Sequence, residues 1–181
     1  MPPEMFIDHV RRYCEWAESN AHDLKRGHEL LLALMAGAPG LKTSTGFPPE
    51  RTFPGLPQEV LWAETKRFAD LPFQCYPVVY WPYEVHAKGP LTQNIHEDLA
   101  YIYAELRHGL QALERGDLVP AMRYWRDSYF FHWGHHASAA VWAIEWHQSR
   151  MKNGEPGAAP NGGPAAPVGN PPVTVGPPSV S

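Results

Sequence analysis

Two cysteines in 181 residues, Cys14 and Cys75, give no disulfide framework on which a secreted fold could rest. A basic stripe is missing too: 15 Lys and Arg stand against 19 Asp and Glu, for a formal net charge of −4 at pH 7. A protein that gains its affinity by neutralising phosphates needs such a stripe, so nucleic acid is not an expected partner. Nowhere does the apolar run reach the roughly eighteen residues that a membrane-spanning helix requires. The opening Met1-Pro2-Pro3-Glu4 has neither a basic leader nor an apolar core, and the expectation is a cytoplasmic protein with reduced thiols. Also absent are a glycine-rich phosphate loop, a Gly-x-Ser-x-Gly elbow, a His-Glu-x-x-His motif and a pair of Glu-x-x-His motifs on two helices. With no complete catalytic set, no residue is assigned a catalytic role.

What is present is a core. Apolar residues make up 44% of the chain, with seven Trp and eight Tyr among them. Each Tyr and Trp carries a polar atom that demands a hydrogen-bond partner when buried, so the interior is expected to hold built-in polar contacts. Phe6, Val10, Tyr13 and Ala17 fall at helical spacing and predict a first helix from about Pro3 to Ser19. Asp23 caps a second, with Leu24, Leu31 and Met35 inward and Gly37, Pro39 and Gly40 ending it. Residues 41–56 read as loop, and a short helix follows from Pro57 to about Asp70, anchored by Leu61 and Phe68.

From Leu71 to Pro90 the aromatics Phe73, Tyr76, Tyr80, Trp81 and Tyr83 alternate with Pro72, Pro77 and Pro82. Prolines cannot donate to a sheet ladder, so this segment reads as extended chain packed on helices, with a short strand pair left open. Ile95, Leu99, Ile102, Leu106, Leu110 and Leu113 mark the clearest helix, which Gly116 ends. The last helix runs from Asp117 or Leu118 to about Gln148 and is apolar on two sides, with Tyr124, Phe131 and Trp142 opposite Met122, Trp133, Ala137 and Ile144. Beyond it proline and glycine dominate. The fold expected is all-α: a single bundle of about five helices over residues 4–150, with a disordered Pro/Gly-rich tail over 151–181.

The densest chemistry lies in His132-Trp133-Gly134-His135-His136. His132 and His136 stand one helical turn apart and could share a divalent metal, with His135 turned elsewhere. One pair is not a full ligand set. His28 on the second helix, and Asp98 and Glu105 on the long fourth helix, are the groups that could complete it, since bundles build metal centres from inward-facing carboxylates and histidines. The simpler reading of the same residues is a polar network in which Arg126, His132, His136 and an acid (Asp98 or Glu105) satisfy one another and fix helix register. Gly134 costs about 1 kcal/mol relative to alanine within a helix, so a close helix crossing or a ligand near the backbone is expected there.

Tyr13-Cys14-Glu15-Trp16, Leu30-Leu31-Leu32-Ala33-Leu34, Phe73-Gln74, Glu97-Asp98-Leu99-Ala100-Tyr101-Ile102-Tyr103, Trp125-Arg126 and His132-Trp133-Gly134-x-His136 occur in this order over residues 5–148. In them the chain resembles the bacterial domain-of-unknown-function family 5063. The resemblance implies the helical fold and no mechanism. It also implies that Trp125, Arg126, His132, Trp133, Gly134 and His136 match the family's most recognisable stretch, whereas His135 matches no motif position. The leading functional expectation is a non-enzymatic interaction module, a homodimer through its aromatic faces or a binder of another protein. The alternative is a metal- or ligand-binding bundle using His132, His136, Asp98, Glu105 and His28.

Overall fold

The computed structural model describes residues 1–42, 57–78 and 91–154. The expectations for most of the 41–56 loop, for Tyr80, Trp81 and Tyr83, and for all but the first residues of the tail fall outside them.

Helix α1 (Pro3–Ala17) starts on a proline in its first turn, where the missing N–H has no partner to lose. Its predicted stripe of Phe6, Val10, Tyr13 and Ala17 is fully buried. Helix α2 (Leu24–Gly37) is capped by the Asp23 carboxylate, which accepts from the Lys25 amide at 3.0 Å. Helix α3 (Gln58–Thr65) continues into a 3-10 turn over Lys66–Phe68 that buries Phe68.

Strands β1 (Cys75–Val78) and β2 (Leu91–Asn94) then form a two-stranded antiparallel pair, with Cys75 opposite Asn94 and Pro77 opposite Thr92. Pro77 therefore does not prevent pairing. A two-stranded ladder draws on the N–H groups of alternate residues, which leaves positions where proline loses no bond.

The pair delivers the chain to α4 (Ile95–Glu114), which starts where the Asn94 side chain accepts from the His96 amide at 3.0 Å. This long helix packs against α1, α3 and both helices that follow it. Ile95, Leu99, Ile102, Leu106 and Leu110 are buried on it, as their spacing predicts. Gly116, with φ +89°, takes the left-handed conformation that closes a helix C-terminus, and its amide bonds the Leu113 carbonyl at 2.9 Å.

The last helix departs from expectation in one respect. It is divided into α5 (Leu118–Ser128) and α6 (Gly134–Lys152) by a single π-helical turn over Tyr129–Trp133. The Gly134 amide bonds the Tyr129 carbonyl five residues back. A Cβ on Gly134 would stand 2.4 Å from that carbonyl oxygen, so the glycine is required by the turn's own backbone and not by a helix crossing. The two sides of this helix differ: Met122, Trp133, Ala137, Ala140 and Ile144 are buried, whereas on the opposite side Tyr124 is half-buried and Phe131 and Trp142 are exposed.

The aromatic interior satisfies its polar atoms by bridging elements. Tyr13 donates its hydroxyl to the Leu99 carbonyl (3.1 Å) and Trp125 its indole N–H to the Leu106 carbonyl (3.0 Å), tying α1 and α5 to α4. Trp133 donates to the Trp125 carbonyl at 3.2 Å. Buried N–H and O–H groups left without such acceptors would each cost about 1–3 kcal/mol.

Candidate functional site

Asp98, Tyr101 and Glu105 occupy i, i+3 and i+7 of α4, a spacing that places all three on one side of the helix. His132 in the π-turn and His136 in the first turn of α6 face them. The His136 ring donates from Nδ1 to Asp98 Oδ1 at 2.7 Å, and the His132 ring from Nδ1 to Glu105 Oε1 at 2.8 Å. Tyr101 lies between the two pairs. It stacks on His136 at 4.7 Å between centroids and meets His132 edge-on at 5.1 Å.

Behind the carboxylates stand three further donors, two on Asp98 and one on Glu105, that the sequence motifs did not single out. Asp98, fully buried, accepts the Tyr76 hydroxyl of β1 at 2.5 Å and the Gln93 amide of β2 at 2.9 Å. Glu105 accepts the Tyr124 hydroxyl of α5. Burial and the bond to Glu105 push the Tyr124 phenol far above its usual range, so it serves as a fixed donor. Burial, with Glu97 and Asp98 nearby, raises Tyr101 as well. The site is thus two parallel tyrosine–carboxylate–imidazole relays. The small strand pair exists where it supplies one relay with Tyr76 and Gln93.

A carboxylate can only accept, so in the neutral form each imidazole gives its Nδ1 proton and keeps the lone pair on Nε2. Neither Nε2 has a hydrogen-bond partner among the described residues, and the His132 and His136 side chains are 32% and 18% exposed. Glu105 and Tyr124 also border a cleft of about 220 Å³ together with Glu64 and His108, but the paired imidazoles lie outside it.

The other sequence candidates fall elsewhere. His28 is not part of the site: its Nε2 bonds Glu145 Oε1 at 2.9 Å, a link between α2 and α6. Arg126 does not pair with Asp98 or Glu105. Its guanidinium lies 3.9 Å from Asp127 Oδ1 and over the Phe130 ring at 5.8 Å, because at this point of α5 the side chain turns outward beside the π-turn. Trp125 and Trp133 are fully buried packing residues. Asp98 and Glu105 stand behind the imidazoles and are not joint ligands with them. Among the described residues no three His, Cys, Asp or Glu side chains come together in a metal-holding group. Cys14 is buried, and burial, helped by Glu18, pushes its thiol up to about 12, which fits an inert packing role.

A second titratable cluster sits at the N-terminus of α4. His22 bonds Asp70 Oδ1 at 2.6 Å through its ring and Oδ2 at 2.8 Å through its amide. Burial pushes the Asp70 carboxyl up, but the two bonds from His22 outweigh it and hold the group below its usual value. His96 is buried with Nε2 unpartnered, and desolvation lowers it from 6.5 although Asp70 pulls the other way; His147, stacked on Phe73 at 4.7 Å, is lowered by desolvation too. For both histidines the unfolded chain takes a proton before the folded one does. Their contribution to stability is whole above pH 6.5 and is lost as pH falls from there toward the folded values. Asp70 contributes above the ordinary carboxylate range and loses that share in a lower window, as pH falls through its depressed folded value. Melting temperatures should therefore fall as pH drops below about 6.5, and the double variant His96→Gln/His147→Gln should flatten that fall. An equal slope in the variant would place the titrating groups elsewhere.

The family model described as Domain of unknown function (DUF5063) matches residues 3–149. No curated protein matches the sequence. Among solved structures, the crystal structure of protein BF1032 from Bacteroides fragilis is similar, with 16% identity and a TM-score of 0.58 over 78% of this chain and 89% of that one. At that identity the likeness concerns the fold. No helix among the described residues is long and apolar enough to cross a membrane.

Proposed function

The chain belongs to the DUF5063 family, whose description assigns no activity, and from that starting point we propose that residues 4–150 form a single ligand-binding helical domain. Its recognition centre is the pair His132 and His136, which take a ligand through their Nε2 atoms. The observation that carries this reading is the anchoring of both rings at Nδ1 by buried carboxylates, with both Nε2 atoms left unpartnered among the described residues. A network that served only helix register would have no need to leave both Nε2 atoms unpartnered. Carboxylate-fixed imidazoles are the arrangement that general bases and ligating histidines share.

A ligand-observed NMR screen of small polar compounds tests it, run on the wild type and on His132→Gln/His136→Gln. Glutamine can still donate to the same carboxylates, so the helices should keep their contacts. Binders that lose their signal in the variant are the expected result. Binders that are indifferent to the variant would sink the reading.

Exposed aromatic surface favours a second reading, the non-enzymatic interaction module. Trp142 is 46% exposed, packs beside Tyr76 at 6.3 Å and stacks with Trp146 at 6.4 Å on α6. A partner protein or a second copy would cover this ladder. Self-association abolished by Trp142→Ala in sedimentation experiments would support the homodimer form, and a monomer at all concentrations would remove it.

A further inference from the structure

The ligand that the paired imidazoles would take can be argued from charge and geometry. Two carboxylates, Asp98 and Glu105, lie directly behind the rings, and among the described residues no Lys or Arg pairs with either. With neutral imidazoles the described part of the cluster is therefore anionic and presents two nitrogen lone pairs. An anion is repelled from such a surface, while a cation that accepts nitrogen donors is favoured.

Spacing narrows the class. An imidazole nitrogen bound to a four-coordinate zinc at about 2.0–2.1 Å puts its ring centroid about 3.2 Å from the ion, and two such rings at the tetrahedral angle stand about 5.2 Å apart. The His132 and His136 centroids are 5.1 Å apart, with the ring planes inclined by 81°. The carboxylates complete the pattern, since ligating histidines commonly donate their other ring N–H to a carboxylate that fixes orientation and raises basicity.

We propose that His132 and His136 bind a divalent first-row transition ion of the zinc class through Nε2, with Asp98 and Glu105 as positioning residues behind them. This rests on the reading above and names its ligand. With no third His, Cys, Asp or Glu grouped there among the described residues, the remaining coordination positions belong to water or to an exchangeable oxygen or nitrogen donor. The exposed rim of the site and the two-point attachment fit an ion that is loaded reversibly.

The test is titration of the untagged, metal-stripped full chain with Zn²⁺ by calorimetry and with Co²⁺ by visible absorbance, for which the chain alone and the metal alone suffice. One Zn²⁺ per chain is expected, with the strong visible bands of four-coordinate Co²⁺. Affinity should fall at least about tenfold in either His132→Gln or His136→Gln and stay unchanged in His135→Ala. The two single variants are independent, so a folding failure in one leaves the other decisive, and melting curves identify it. Absence of saturable binding, or binding that survives both variants, would overturn the proposal. If small polar ligands still require His132 and His136 while neither metal binds, the ligand site stands and the metal is wrong. If neither class of ligand depends on the two rings, both readings fall together.

Discussion

Replacing Gly109 with alanine is expected to destabilise the domain by about 3 kcal/mol, which at this size lowers Tm by roughly 10 °C. A Cβ at this position would stand 2.1 Å from Trp125 Nε1 and 2.3 Å from Cε2, distances that no side-chain adjustment of a few tenths of an ångström can relieve. The indole would have to leave the groove on α4. In doing so it would give up its bond to the Leu106 carbonyl and its contact with Phe6, 5.7 Å away between ring centroids. Since Trp125 is fully buried and its own carbonyl accepts from Trp133, the displacement spreads to the helix that carries His136. Denaturant or thermal unfolding of the variant measures the effect. A loss below about 1 kcal/mol would mean that the α4–α5 contact is looser than described.

Asp98→Ala should be at least as damaging, by about 3–5 kcal/mol. The substitution takes one acceptor group from three donors at once: the Tyr76 hydroxyl, the Gln93 amide and the His136 ring. The site sits where β1, β2, α4 and α6 meet, so the lost acceptor is shared by four elements. The matching change at Glu105 removes an acceptor from two donors only, the Tyr124 hydroxyl and the His132 ring, and His132 is 32% exposed, so water can replace part of what is lost. The ordering, Asp98→Ala worse than Glu105→Ala, is therefore part of the expectation. Paired chemical-denaturation curves check it.

Much of this architecture could be read from the sequence, for identifiable reasons. The α1 and α4 stripes repeat over several turns, and a long periodic signal survives local exceptions. The link between the acids of α4 and the histidines after α5 was also readable, because Asp98, Glu105, His132 and His136 are the polar residues that interrupt apolar faces. Their division of labour was not. Whether a carboxylate ligates beside a histidine or bonds to its Nδ1 depends on ring orientation, which spacing does not carry. The π-turn was equally hidden: one inserted residue shifts the register of a helix without changing its composition, and only Gly134 hinted at it. Tyr76, Gln93 and Tyr124 come from other elements, the two strands and α5, and no local motif marks them. His28 was misplaced for the same reason in reverse, since its partner Glu145 lies 117 residues away.

The central claim is that both imidazoles carry their proton on Nδ1 and offer Nε2 to a ligand. Long-range ¹H–¹⁵N correlation of the histidine rings, at a pH above the imidazole range, reads this state directly. The account predicts that His132 and His136 show a protonated Nδ1 and a bare Nε2. Protonated Nε2 in both rings would contradict it, because the carboxylates would then not be holding the rings and no acceptor pair would face the solvent.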